Sequence, residues 1–247
     1  MKHLLWPLGV NPLVIPNGIP RRLLRRPDTQ DVACLRRGAA GEILLSKVGR
    51  WDPDKRWIMA VETVAALRGH GHRPVLVTVG GIEPHRGEVM YRAQRLGLSV
   101  KDVVVEAPTP AGLGRALGQA APAEVVNLSP FLPVSLLQLL YAASDAVLAN
   151  SGREPFGLVG LEAMAAAGVV LTGATGEDYA VHLDNAIVLD TADAEEAAWY
   201  VRYLRRHPAV VARIKRGARR TARRFVWDRV IENLTDRIAL LTAPGDR

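Results

Sequence analysis

The sequence has little cysteine and no long hydrophobic run. Cys34 is the single cysteine, so an intramolecular disulfide is excluded and a reducing compartment is expected. No apolar stretch approaches the roughly 20 residues that span a bilayer. The apolar N-terminal segment, residues 1 to 10, is short and is interrupted by Pro7, so no signal peptide is predicted. Together these absences predict a cytoplasmic protein.

Motifs for metal binding and for a serine nucleophile are also missing. His70 and His72 flank Gly71, and His85 follows, but no cysteine or carboxylate lies at a zinc-like spacing from them. The Gly-x-Ser-x-Gly pattern of a nucleophile elbow is absent. We therefore interpret the histidines as loop residues and expect no metal.

Positive charge is abundant, with a formal net charge of +7. Such a balance attracts nucleic acid, acidic lipid or phosphorylated ligands. Residues 213 to 224 carry seven arginines and lysines, yet Val210, Ile214 and Ala218 give the same segment an apolar stripe. Aromatic residues for base stacking are missing there. The segment is interpreted as the solvated face of a helix that contacts an anionic membrane peripherally, and no nucleic acid partner is expected.

Apolar runs alternate with helical patterns from about residue 41 onward. The predicted strands cover residues 43–48, 74–79, 102–106, 124–128, 145–150, 169–172 and 186–189. The predicted helices lie near residues 58–66, 88–96, 111–120, 134–143 and 158–166, followed by a tail over 194–206, 208–224 and 227–241. This alternation predicts an α/β fold, a doubly wound parallel sheet with helices on both faces. Proline and Asn-Gly break residues 10 to 20, so residues 1–40 are predicted to be a connector and 41–247 the domain.

The domain is organised around residues 151 to 165, where a predicted strand passes through a Pro/Gly turn into a helix. The first amides of a helix and its dipole favour phosphate. Glu154 precedes the helix and Glu162 lies inside it. Two carboxylates bind polyols through charge-assisted hydrogen bonds. Amides that donate hydrogen bonds to a phosphate thus lie beside carboxylates that accept hydrogen bonds from sugar hydroxyls, and this combination predicts a site for a sugar nucleotide.

This stretch resembles the signature of retaining GT-B glycosyltransferases of family 4, also called glycosyl transferases group 1. The resemblance lies in Glu154-Pro-Phe-Gly-Leu and Glu162-Ala-Met-Ala, two glutamates separated by seven residues. Residues 14 to 19, Val-Ile-Pro-Asn-Gly-Ile, are similar to the family's segment between domains, and residues 225 to 227 to its closing Phe-Ser-Trp. The resemblance implies a Rossmann-like, C-terminal, donor-binding half of a GT-B fold, with residues 1–40 as interdomain connector and a helical tail.

The resemblance also implies a donor site. Gly49 and Arg50 with Lys55 match the Gly-Arg and following lysine that bind the donor diphosphate. Arg50 and Lys55 would stabilise the leaving diphosphate, because fixed cations need no rearrangement in the transition state. Glu154 would approach the donor sugar ring and act with them in catalysis, and Glu162 would bind the ribose hydroxyls.

Further donor contacts are implied by the same comparison. The backbone of Phe156, Gly157 and Leu158 would face the phosphates, and the loop from Asn127 to Phe131 would hold the nucleobase. Glu177 corresponds to an acid that follows two glycines in the family, although Thr175 replaces one glycine here.

The implied reaction is transfer of a hexose from a nucleotide diphosphate sugar to an acceptor, with retention and without a metal or other cofactor. An N-terminal GT-B half, in the same or another polypeptide, would supply the acceptor site. The chain is expected to need that partner, or to be a fragment or a mis-started reading frame. Two alternatives stay open: a non-catalytic nucleotide-sugar-binding or regulatory module, and a basic nucleic-acid-binding protein. The nucleobase, sugar and acceptor are not encoded in any motif.

Overall fold

The fold is built on one parallel sheet with helices on both of its faces. The computed structural model describes residues 6–9, 15–129, 131–152, 154, 156–173, 176 and 178–242. The strands of this part are β1 (Ile43–Val48), β2 (Pro74–Val79), β3 (Val100–Val104), β4 (Val125–Ser129), β5 (Ala146–Ala149), β6 (Val170–Thr172) and β7 (Ile187–Val188). Their order is β3-β4-β2-β1-β5-β6-β7, and neighbouring strands pair in parallel. The predicted doubly wound sheet is confirmed.

Helices connect the strands and form a tail. They are α1 (Thr29–Gly38), α2 (Trp57–Gly69), α3 (His85–Arg95), α4 (Pro110–Ala120), α5 (Val134–Ala143), α6 (Leu158–Ala165), α7 (Ala194–Arg206), α8 (Pro208–Ala222) and α9 (Trp227–Thr242). Short 3-10 helices cover Arg21–Leu24, Pro53–Lys55 and Arg223–Phe225. The helical tail after β7 is confirmed.

Alternate residues of each central strand point to opposite faces and bury separate cores. Ile43 and Leu45 of β1 pack with α2, α3 and α7 on one face. Leu44 packs with α1, α4 and α5 on the other. On that second face, Val147 of β5 and Val170 of β6 pack under α6 and α8. Because both faces are covered, the central strands β1, β2, β4 and β5 are mostly buried and rich in apolar residues, as is typical of parallel sheets.

The β3 strand and α1 differ from the sequence predictions. The predicted strand at 102–106 is shifted to Val100–Val104, since β3 is an edge strand and exposes Lys101 and Val104, which removes the apolar pattern. Residues 29–38, inside the predicted connector, form α1, which Asp28 caps by accepting from Gln30 N. Leu35 of α1 is fully buried on the sheet face.

The connector pairs with the helical tail near residue 19. Ile19 N donates to Phe225 O (2.8 Å) and Trp227 N donates to Ile19 O (3.1 Å), so residue 19 forms a bridge with Val226. The two segments therefore enter and leave the domain side by side. Within the described residues no helix has the length and apolar character needed to cross a membrane.

Candidate functional site

Three strand ends converge at the carboxyl edge of the sheet, the edge at which open α/β sheets bind ligands. The loop after β1 begins at Gly49, whose N–H donates to Val79 O of β2 (3.0 Å). Gly49 has φ +148°, which side-chain-bearing residues rarely adopt, and a Cβ there would meet no atom within 4 Å. The backbone therefore lies open to a ligand at this point.

Two tryptophans hold the rest of this loop. The buried rings of Trp51 and Trp57 lie 3.9 Å apart, and Trp57 Nε1 donates to Arg50 O (2.7 Å). Trp51 N donates to a carboxylate oxygen of Glu83 (3.0 Å). Arg50 is thus an exposed cation on a fixed backbone, which is the arrangement that anion binding favours.

The loops after β1 and β5 meet in an ion pair. Lys55 Nζ lies 2.8 Å from Glu154 Oε1, and both side chains are about three quarters buried. Ser151 Oγ donates to the other carboxylate oxygen of Glu154 (2.9 Å). Gly152 N donates to Asp54 O (2.7 Å), which joins the two backbones. Two residues expected to act on the same donor therefore contact each other directly.

Lys47 and Arg56, which the sequence analysis did not select, lie beneath and beside this pair. Lys47 Nζ is buried and donates to Asn150 Oδ1 (2.6 Å). Arg56 has a left-handed backbone (φ 52°), and a Cβ built on Gly152 or Gly173 would lie 3.0 to 3.2 Å from its guanidinium nitrogens. The signals were present in the sequence: a lysine inside the apolar run of β1 and an arginine after Lys55.

The start of α6 is open to a ligand through its backbone. Gly157 caps the helix in the left-handed region (φ 76°), and no side chain in the part of the chain that the structure describes caps the helix amides. Tyr179 Oη donates to Gly157 O (2.5 Å), which fixes the turn. The Phe156 ring is buried against Tyr179 and Phe225, and Leu158 is partly exposed. The burial of its ring leaves only the backbone of Phe156 accessible to a ligand, and the predicted contact of that backbone with a phosphate stays a prediction.

Glu162 lies half-buried on α6, and its carboxylate has no hydrogen-bond or ion-pair partner among the described residues. Loss of hydration on burial raises the pKa of Glu162. The Tyr141 hydroxyl is buried and likewise has no hydrogen-bond partner among the described residues. Burial, together with the charge of Glu162, raises the pKa of Tyr141. An unpaired, partly buried carboxylate is the group that ligand hydroxyls would satisfy.

The residues expected around a nucleobase are divided by the structure. Asn127 is buried, donates to Asp102 Oδ1 (2.7 Å) and accepts from Thr78 Oγ1 (3.2 Å), so its side chain is engaged within the sheet. Phe131 is 78% exposed and is free to stack. Arg153, Pro155, Thr175 and Glu177 lie outside the described residues.

The histidines pair with separate carboxylates. His70 lies 3.0 Å from Glu195 and His72 lies 3.2 Å from Glu42. His85 begins α3 and is buried beside Glu88, so it is a helix residue rather than the predicted loop residue. Within the described part of the chain, no three histidine, cysteine or acidic residues group closely enough to hold a metal ion.

Comparison with known proteins identifies the family. Residues 37–221, about three quarters of the chain, match the family described as "Glycosyl transferases group 1". A D-inositol 3-phosphate glycosyltransferase of Saccharomonospora viridis is 32% identical over 190 residues, which are 70% of this chain and 44% of the relative. The chain therefore spans less than half of that protein's length.

Two solved structures share the fold. HepE of Anabaena, in complex with UDP, superposes with a TM-score of 0.73 at 19% identity, over 97% of this chain and 61% of HepE. The C-terminal domain of LpcC from Francisella tularensis superposes with a TM-score of 0.63 at 16% identity, over 83% of this chain and 96% of that domain. These structural matches show the shared fold, and the match of residues 37–221 to the family model shows the family. The chain belongs to the glycosyl transferases group 1 family.

Proposed function

We propose that this chain is the donor-binding half of a retaining glycosyltransferase of the GT-B type, family 4, which transfers a hexose from a nucleotide diphosphate sugar to an acceptor. The observation that carries the proposal is the 2.8 Å contact between Lys55 and Glu154, residues of two different loops at the ligand-binding edge of the sheet. With Arg50 on the rim and the start of α6 beside Glu154, the edge offers both cations and open amides to a diphosphate.

In this proposal the cations act on the leaving group. Arg50 and Lys55 bind the two phosphates and stabilise the negative charge that grows as the bond to the sugar breaks. The amides at the start of α6 add fixed partial charges. Glu154, released from part of its contact with Lys55, is placed toward the sugar ring. Glu162 accepts hydrogen bonds from the ribose hydroxyls, which meets the cost of its burial.

Two finer features of the proposal rest on the signature and on the charges. Retention of configuration follows from the resemblance of the Glu154 to Glu162 segment to retaining enzymes. A metal is not expected to be needed, because Arg50 and Lys55 already supply charge to the diphosphate. Transfer that persists in excess EDTA would support this view, and loss of transfer restored by Mg²⁺ would contradict it.

We further propose that an N-terminal GT-B half, on the same or another polypeptide, completes the enzyme and supplies the acceptor site. The connector and the start of α9, which lie side by side, present apolar surface to such a partner: Ile15, Trp227 and Ile231 are 42 to 56% exposed. Without this half the donor would stay open to water and the acceptor would not be positioned.

A peripheral contact with an anionic membrane is supported by a basic cleft of about 480 Å³ at the far ends of α5 and α6. Among the described residues that line the cleft none is acidic and six are basic: Arg26, Lys215, Arg216, Arg219, Arg220 and Arg223. Arg219 is itself buried and donates to Ala165 O and Leu24 O, so this residue is not on the solvated face predicted for the cluster. The guanidinium joins α6 to the connector, and its neighbours carry the exposed charge.

The first test is calorimetric titration of the purified chain with UDP, GDP and ADP, each alone and as its glucose conjugate. UDP comes first because HepE, which shares the fold, was solved with UDP. Saturable binding of one nucleotide, weakened by Arg50→Ala and by Glu162→Ala, would support the donor site. Absence of binding by every ligand at millimolar concentration would contradict it.

A non-catalytic binding module is the second candidate, because the chain spans less than half of a curated relative. It predicts nucleotide-sugar binding that never leads to transfer. The discriminating assay adds an N-terminal half from the Saccharomonospora relative and offers D-inositol 3-phosphate first, the compound in that relative's name. A nucleic-acid-binding role would require strongly salt-dependent binding of RNA or DNA.

A further inference from the structure

Lys47 is a buried ammonium that the proposed mechanism does not use. Its side chain is 2% exposed on β1, and Nζ lies 5.2 Å from the centre of the Trp57 ring. Nζ donates to Leu148 O (3.1 Å) and to Asn150 Oδ1 (2.6 Å), two neutral acceptors. A buried ammonium with no contacting carboxylate is costly, and an apolar residue would fill this place more favourably. Its presence calls for a role that needs charge.

The position of Lys47 is directly under the loops of the donor site. Leu148 lies in β5 and Asn150 directly follows that strand, immediately before Ser151 and the loop that carries Glu154. Among the described residues, the charged groups that act on the ammonium are Lys55 and Arg56 from the loop after β1, and Glu154 from the loop after β5. Two cations and one carboxylate in the loops above therefore act on the Lys47 ammonium. Lys55 already pairs with that carboxylate.

These surroundings make the protonation of Lys47 responsive to a ligand. Burial, followed by repulsion from Lys55 and Arg56, lowers the pKa of Lys47 to about 7, while Glu154 acts in the opposite direction. Both protonation forms of Lys47 are therefore populated near neutral pH. A diphosphate bound by Lys55 and Arg50 brings negative charge above the ammonium and favours its charged form.

We propose that Lys47 is a charge-positioning residue of the donor site, which takes up a proton from solvent when a nucleotide diphosphate binds and then holds Asn150 and the loop after β5 in place. The inference rests on the proposed donor-binding function. No covalent bond changes in this step. The charged form makes stronger hydrogen bonds to Asn150 and Leu148 O than the neutral amine does, so binding and loop position are linked.

The linkage has a definite sign. Because the ligand raises the pKa of Lys47, affinity is highest at pH values below about 7, the pKa of Lys47 without ligand. Affinity then falls as the pH rises from about 7 toward the higher pKa that Lys47 has with ligand bound. A rise of one unit on binding corresponds to about a tenfold loss of affinity across that range. At the pH midway through the range, a substantial fraction of one proton is taken up per ligand bound.

The test is calorimetry of the full chain with UDP-glucose, GDP-glucose and ADP-glucose in two buffers of different ionisation enthalpy, repeated at several pH values around neutrality. Sugar conjugates are used because each of their phosphates is a diester, which does not titrate there. The wild-type chain is expected to take up a proton fraction and to bind about tenfold more weakly at the alkaline end. Lys47→Met is expected to lose both effects. Lys101→Met, an exposed lysine of the edge strand β3, is the matched control and should keep them.

Each outcome decides one question. If calorimetry detects no binding of any of the three sugar conjugates, the donor-binding function is overturned, and this inference with it. Saturable binding with no proton uptake, or with the same uptake in Lys47→Met, would overturn the inference alone. If Lys47→Met does not unfold cooperatively, Lys47→Arg replaces it. Because arginine stays charged, the affinity of this variant should not depend on pH. The same pH dependence as in the wild-type chain would overturn the inference.

Discussion

The Lys55–Glu154 ion pair determines how much of the Lys55 charge is available to an anion. Both side chains are about three quarters buried, so the pair is shielded from salt more than a surface pair would be. A diphosphate must compete with Glu154 for the Lys55 ammonium. In the proposed donor site the carboxylate would therefore lower affinity for the nucleotide while it keeps the cation in position, and substitution can separate the two roles.

Lys55→Met is expected to weaken UDP binding about 10- to 100-fold, because a hydrogen bond between charged groups is lost and Glu154 is left unpaired near the phosphates. Glu154→Gln is expected to bind UDP at least as tightly as wild type but to lose sugar transfer. Calorimetry with UDP gives both affinities. An equal loss of affinity in the two variants would contradict this account of the pair.

Glu162→Gln is expected to stabilise the folded chain at neutral pH while weakening nucleotide binding. Burial raises the pKa of Glu162, so its stabilising contribution is complete below the ordinary value of 4.5 and is lost as the pH rises through the raised value. The glutamine variant should be about 1 kcal/mol more stable near pH 7. Chemical unfolding at neutral pH and near pH 4.5 measures the difference, which should vanish at the acidic end. A variant that is less stable than wild type at neutral pH would contradict it.

The sequence analysis selected residues whose types and spacing form a signature, such as Arg50, Lys55, Glu154 and Glu162, and their roles stay predictions. It did not find Lys47, because strand periodicity shows that a residue is buried but not what its side chain meets across the sheet. The contact of Lys47 with Asn150 joins positions 103 apart. Such a contact depends on strand order, which the alternation of strands and helices does not specify.

At the scale of elements, the loop after β1 depends on a backbone conformation. Gly49→Ala is expected to destabilise the chain by about 1 kcal/mol although its Cβ would meet no atom within 4 Å, because φ +148° is unfavourable for alanine. Gly87→Ala is the control, since Gly87 lies in α3 with equal space and no unusual φ, and it should stabilise by about 0.5–1 kcal/mol. Urea unfolding measures both, and equal effects would show that space alone matters.

Helix α1 bears on the predicted domain boundary at residue 41. It packs on the sheet face through Leu35, which is fully buried. Residues 29–38 show no strong apolar periodicity, because Leu35 is the residue of this helix that is buried and the neighbouring helices supply the rest of the core.

A chain that begins at residue 41 is therefore expected to unfold at markedly lower urea concentration than the full chain. Leu35→Ala should cost about 2–5 kcal/mol, because it opens a cavity against the sheet. Val104→Ala, an exposed edge-strand substitution, is the control and should change stability by less than about 1 kcal/mol. Equal stability of the shortened and full chains would place α1 outside the folding unit.

At the scale of the whole molecule, the proposed donor site and the basic cleft lie at opposite ends of α5 and α6. Replacing Arg26, Arg216 and Arg223 by glutamine is expected to reduce binding to phosphatidylserine vesicles, by about 1 kcal/mol for each charge removed. An equal loss of charge elsewhere, at Arg95, Arg115 and Arg206, should have much less effect. Sedimentation with vesicles measures binding, and similar losses in both triple variants would indicate net charge rather than the cleft. UDP binding should be unchanged in both.

The central position of β1 also has a consequence for biosynthesis. β1 pairs with β2 on one side and with β5 on the other, and β5 follows about a hundred positions later. At roughly 5–20 residues per second, β5 leaves the ribosome several seconds after β1. During that interval one edge of β1 stays unpaired and Lys47 remains hydrated, so the emerging chain exposes a strand edge open to misassociation. The proposed donor site is thus a late product of folding, and a nascent chain interrupted before residue 146 contains none of the contacts between β1 and β5.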